Sequence, residues 1–140
     1  MNVLVIAAHP DDEALGCGGT LARHAAAGDG VDVLFVADGE TSRSGAAASG
    51  VQGRREAARS AARALGTRPP RFLDLPDNRL DERPLLEVIQ AIEAAGRELR
   101  PEIVYTHHLS DLNVDHQVVA RAVLTAFRPL PGSSVRAVFG

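Results

Sequence analysis

The chain has 140 residues, 45% of them apolar and 24% charged, and a formal net charge of −3. That length sets one domain with a two- or three-layer core, and the negative balance argues against broad nucleic-acid binding. The single cysteine, Cys17, excludes an internal disulfide; no apolar run approaches the roughly 20 residues of a membrane span, so a cytoplasmic protein is expected.

Strands and helices alternate from the start. Residues 3–7, Val-Leu-Val-Ile-Ala, form an apolar run suited to an interior parallel strand covered on both faces. A helix follows at 15–27, ended by Gly28-Asp29-Gly30, and a second strand runs over 31–37. Residues 38–50 are a polar, Gly/Ser-rich loop of a length that calls for a functional or disorder explanation. An Ala/Arg-rich helix at 51–65 stops at Gly66 and Pro69-Pro70, and its arginines read first as a solvated face. A third strand at 71–75 leads into the turn Pro76-Asp77-Asn78. The helix at 85–99 carries the stripe Leu85, Val88, Ile89, Ile92 and Leu99. A fourth strand at 103–106, a polar segment at 107–116, a helix from about 115 to 127 and a fifth strand at 135–139 end the series.

This order predicts an α/β fold, a Rossmann-like three-layer open sheet, mostly parallel, of about five strands in one domain over 1–140. Ligands bind such sheets outside the carboxyl ends of the strands. Residues 9–13, 38–43, 74–78 and 107–116 each follow a predicted strand, so the fold would gather these polar segments on one edge.

His9-Pro10-Asp11-Asp12-Glu13 concentrates ionisable groups where an apolar strand ends, which is costly beside a core unless a cation or substrate draws them together. His9 and Asp12 stand three positions apart through a strand-to-helix turn, and His116 can arrive from the fourth strand loop. Two imidazoles and one carboxylate with an open position suit catalytic zinc, with Fe2+ or another divalent metal also compatible. Asp11 is then free to take a proton from water. The competing reading makes Asp11, Asp12 and Glu13 helix-terminal charges, with Asp12 as a cap. Asp115 either orients a ligand imidazole or caps its helix, and Asp111 stands between a turn role and similar support. Gly16, Gly18 and Gly19 do not follow Gly-x-Gly-x-x-Gly, and no phosphate-loop motif is present, which disfavours a nucleotide-binding domain.

Residues 5–13, Val-Ile-Ala-Ala-His-Pro-Asp-Asp-Glu, resemble the signature of the LmbE-like, or PIG-L-like, zinc-dependent N-deacetylases. The resemblance continues through Gly16-Cys17-Gly18-Gly19-Thr20, Arg54-Arg55-Glu56 and residues 109–116, Leu-Ser-Asp-Leu-Asn-Val-Asp-His. It implies removal of acetyl from an N-acetylated amino sugar, glycoconjugate or nucleotide-sugar, with His9, Asp12 and His116 as zinc ligands and Asp11 as general base. Many members carry His three residues before the last ligand. Here that position is Asn113, which can donate to an oxyanion but cannot supply an imidazolium. His107 or His108 is left either to compensate or to serve the strand end.

Arg43, Arg54, Asp77 and His108 are weaker substrate candidates, the arginines for a phosphate and Asp77 for sugar hydroxyls. Members of this family commonly run longer, so the chain reads as lacking the usual C-terminal portion. A catalytically impaired metal-binding domain is the second reading, and a homo-oligomer is compatible with either.

Overall fold

The central strand, β1 (Asn2–Ala7), pairs in parallel with β2 (Gly30–Ala37) on one side and β4 (Ile103–Tyr105) on the other. The structure is a computed structural model describing residues 1–42, 45 and 48–140. β3 (Arg71–Leu75) extends the sheet beyond β2 and β5 (Ala137–Phe139) beyond β4, in the order β3-β2-β1-β4-β5 with parallel pairing throughout. The chain winds outward from β1 to β3, then returns to place β4 on the opposite side of β1. The switch point, where adjacent connections diverge, therefore lies between the ends of β1 and β4.

Alternation along β1 builds both cores. Leu4, Ile6 and Ala8 belong to a cluster with Val88 and Ile92 of α3 (Leu85–Leu99) and Val119 and Val123 of α4 (Val114–Ala126). Val3, Val5 and Ala7 face the other side, toward Leu21 of α1 (Asp12–Ala26) and Ala58 of α2 (Ala48–Leu65). A strand covered on both faces has no polar side to show, which is why β1 reads as an unbroken apolar run. Burying each Val, Leu or Ile contributes about 1.5–3 kcal/mol, enough to fix the sheet register.

The expected parallel α/β sheet is the one observed. The differences lie at element ends. α1 begins at Asp12 rather than residue 15, because Asp12 and Glu13 enter its first turn, where the helix dipole favours carboxylates. α2 begins at Ala48, inside the stretch read as loop, since helix-favouring alanine offsets the breaks suggested by Gly50 and Gly53. β5 is confined to three residues, and an unforeseen 3-10 turn, Leu80–Glu82, inserts fully buried Leu80 between β3 and α3.

Candidate metal centre

His9 leaves the end of β1, Asp12 opens α1 and His116 lies in the first turn of α4, so the switch point brings all three together. Asp12 Oδ2 stands 3.4 Å from His9 Nδ1 and 3.3 Å from His116 Nε2. Donor atoms about 2.0–2.1 Å from a tetrahedral ion are separated from one another by about 3.3 Å, so the observed spacing fits such an ion. The donor chemistry, two imidazole nitrogens and one carboxylate oxygen, fits as well. The backbone N–H of His9 also donates to Asp12 Oδ2, at 2.8 Å, which holds the carboxylate against the strand end.

The outward nitrogen of each ring is anchored by carboxylate. His9 Nε2 lies 2.9 Å from Asp115 Oδ2 and 3.0 Å from Asp77 Oδ1, and His116 Nδ1 lies 2.9 Å from Asp111 Oδ2. Each ring thereby turns its other nitrogen toward Asp12, the arrangement that orients imidazole ligands. Asp115 is completely buried and also accepts from the backbone N–H groups of Asn78, at 2.6 Å, and Leu80, at 3.0 Å. The sequence left Asp115 between orienting and capping; it pairs with the His9 ring, and Asn113 is the cap. Burial opposes a charge on His9, yet hydrogen bonds with Asp115 and Asp12 outweigh it and push its pKa up to about 10. A cation entering the cluster must displace that proton.

Asp11 stands beside the cluster with φ of 148° and a half-exposed carboxylate that does not cap α1. A non-glycine residue in that backbone region costs about 1–3 kcal/mol, so surrounding structure must hold it there. Its N–H donates to Glu13 Oε2 at 3.1 Å, and its carbonyl accepts from Ala14 and Leu15. Arg54 donates through one guanidinium nitrogen to Asp11 Oδ2 and through Nε to Glu40, both at 3.0 Å. In this structure Arg54 thus clamps the candidate base instead of standing free for a phosphate. Gly39, at φ of 72°, passes so close that a Cβ there would lie 3.0 Å from Pro10 and 3.5 Å from the His9 Cβ.

Asn113 Oδ1 accepts from the N–H groups of Asp115, at 2.9 Å, and His116, at 3.3 Å. The capping oxygen is committed to α4, so the amide NH2 is the part left to act as donor. A polar cavity of about 310 Å³ is lined by His9, Asp11, Ser42, Arg54, Asp77 and Asn113. Asp77 lines it but is already paired with His9 and Ser42, so it does not present the free carboxylate expected of a sugar reader. His107 lies on the other side of the cluster, where burial, and next the neighbouring His116, push its pKa down to about 4. Among the described residues the candidate ligand groups are His9–Asp12–His116, His107–Asp111–His116 and His9–Asp77–Asp115; exposed His108, which accepts from the Ser110 N–H through Nδ1, belongs to none of them. Arg43 lies outside the described residues. The carboxylate anchor Asp111 could have been weighted higher from its position five residues before His116; the Arg54–Asp11 pair leaves no such signal, because 43 residues separate the partners.

Fold and geometry together define an open parallel α/β protein with two histidines and one aspartate grouped as a candidate metal site at its switch point. The chain belongs to the family described as PIG-L: GlcNAc-PI de-N-acetylase, which matches residues 4–127. It is 34% identical over 135 residues to the uncharacterized deacetylase YaiS of Escherichia coli strain K12, covering 93% of this chain and 70% of that one. The N,N'-diacetylchitobiose deacetylase of Pyrococcus horikoshii, solved with its inhibitor MPG, is similar with a TM-score of 0.80 and 26% identity, over 94% of this chain and 52% of its own. GalB, the 4-carboxy-2-hydroxymuconate hydratase of Pseudomonas putida KT2440, is similar with a TM-score of 0.77 and 30% identity, over 90% and 55%. The chain spans about half the length of these two solved proteins. Family and fold are therefore those expected from the sequence. Among the described residues, no helix is long and apolar enough to cross a membrane.

Proposed function

We propose that this chain is a metal-dependent hydrolase that removes acetyl from an N-acetylated amino sugar or sugar conjugate, with zinc as the metal. The observation that carries the reading is the convergence of His9, Asp12 and His116, each ring anchored from behind by carboxylate, beside the strained Asp11. A divalent cation held there supplies Lewis-acid polarisation of the amide carbonyl and an acidified water. Asp11 takes the proton from the attacking water and returns it to the amide nitrogen as the C–N bond breaks, releasing acetate and free amine. The Asn113 NH2 donates to the oxygen that gains negative charge, and its orientation is fixed because Oδ1 caps α4. The polar cavity beside His9 and Asn113 receives the sugar, with Arg54 at its rim. The family description and the similarity to a diacetylchitobiose deacetylase support an amino-sugar amide.

The 30% identity to a hydratase supports one second reading, addition of water to an unsaturated acid by the same base. The test is metal analysis together with amine release from a panel of N-acetylated sugars, nucleotide-sugars and glycoconjugates, run beside unsaturated carboxylic acids. Amine release with about one ion per chain is expected. Water addition without amine release would move the assignment to the hydratase reading.

A further inference from the structure

The ladder between β1 and β4 ends at the pair Val5 and Tyr105, yet β1 continues to Ala7 and the chain must still deliver His9 to the metal cluster. The next buried donor beyond the strand is the N–H of Ala8, a residue with 0% exposure. No β4 carbonyl meets it. Nε2 of His107, two residues past the end of β4, accepts that N–H at 2.8 Å. A buried N–H without a partner costs about 1–3 kcal/mol, so the ring replaces the missing rung of the ladder one residue before a metal ligand.

The same ring lies against the second histidine of the cluster. Its centroid is 3.8 Å from that of His116 with planes 16° apart, closer and flatter than the 5.4 Å and 42° between His9 and His116. Its Nε2 is also 3.5 Å from Asp12 Oδ2. Asp111 fixes the direction of the His116 ring through Nδ1, and the stacked His107 fixes the plane in which that ring stands. His107 can also group with Asp111 and His116, but with Nε2 accepting the Ala8 N–H it acts on the His9–Asp12–His116 set rather than as one of its ligands.

We infer that His107 is the positioning residue of the metal centre: its ring spans the gap between β1 and α4 and sets His9 and His116 at ion-binding separation. The inference rests on the metal-site reading of His9, Asp12 and His116, and not on which substrate is hydrolysed. Two substitutions separate the contacts. His107→Phe keeps a ring to stack on His116 but removes the acceptor; His107→Gln supplies an amide oxygen for Ala8 N–H but removes the stacked ring.

The experiment loads the full chain and each variant with Co2+, measures affinity by chelator competition and records the visible spectrum, with His107→Ala as the variant lacking both contacts. Val123→Ala, in the core away from the cluster, provides a folded protein of lowered stability. The expected result is a tenfold or greater loss of Co2+ affinity with an altered spectrum in His107→Ala and smaller losses in His107→Phe and His107→Gln. Val123→Ala should keep wild-type affinity and spectrum. Folded His107 variants with wild-type affinity and spectrum would overturn the inference, as would an equal affinity loss in Val123→Ala. Because turnover is not read, an inactive chain that binds Co2+ bears on the proposed hydrolase and leaves this result standing. A wild-type chain with no specific Co2+ binding overturns both.

Discussion

Two histidine–aspartate clusters sit at opposite ends of α1, and among the described residues only one gathers candidate metal ligands. In the last turn, His24 Nδ1 lies 2.7 Å from Asp29 Oδ2 and its Nε2 lies 3.1 Å from the Tyr105 hydroxyl, while the Met1 ammonium donates to Asp29 Oδ1 at 2.7 Å. Both nitrogens of that ring are engaged by partners within the cluster. At the other end, His9 Nε2 is held by Asp115 at 2.9 Å, but Nδ1 has only Asp12, at 3.4 Å. Every candidate ligand group among the described residues includes His9 or His116, and none includes His24. A histidine beside a carboxylate is thus a structural link where its partners stand apart from other ligand atoms, and a candidate ligand where its carboxylate is shared with a second imidazole, as Asp12 is shared by His9 and His116.

The sharpest test of the contrast is chemical. Asp11→Asn keeps the shape beside the His9 cluster but removes the base, so turnover should fall by about 10²–10⁴-fold with metal content retained. Steady-state amine release and metal analysis on the same preparation measure this; unchanged turnover would remove Asp11 from the mechanism. Next in size is Asp115→Asn, which weakens the hold on His9 and should lower metal affinity by about 10–100-fold, read by chelator competition. His24→Gln, at the other end of α1, should leave that affinity unchanged.

The parallel α/β sheet and the grouping of His9 with Asp12 were legible because each left a local signal. An apolar run marks β1, and a burst of charge at its end marks His9, Asp11 and Asp12. What was not legible was pairing across the fold. Arg54 and Asp77 line the polar cavity, but no sequence signal showed that Arg54 reaches Asp11 or that Asp77 reaches His9 from 68 residues away. Asp115 could be read as cap or orienting partner, and only three-dimensional placement shows that Asn113 takes the cap and frees Asp115 for His9. His107 was readable as a strand-end residue, but neither its Ala8 N–H partner nor its stacking on His116 left a signal.

Asn113 carries two jobs that substitution can separate. Asn113→Ala removes the cap and should cost about 0.5–2 kcal/mol of stability, read by denaturant unfolding. Asn113→Asp keeps a capping oxygen and removes the NH2, so its stability should stay near wild type while turnover falls. If Asn113→Asp retains full turnover, the amide is a cap and nothing more.

The smallest expected effect is at the structural cluster, where pH supplies the contrast. Hydrogen bonds from the Met1 ammonium and His24 hold the Asp29 carboxyl below its ordinary value. A carboxylate with a depressed pKa in the folded state adds stability that is present above its unfolded value and is lost as pH falls through the folded value. Wild type should therefore melt slightly above Asp29→Asn near neutrality, and the gap should close below about pH 4. Metal affinity should be the same in both proteins throughout, because neither nitrogen of His24 faces the ion. Melting curves from pH 3 to 7 paired with Co2+ titration at pH 7 decide it: an Asp29→Asn protein that binds metal more weakly would mean that the two ends of α1 are coupled, and that satisfied valences do not insulate the His24 cluster from the site.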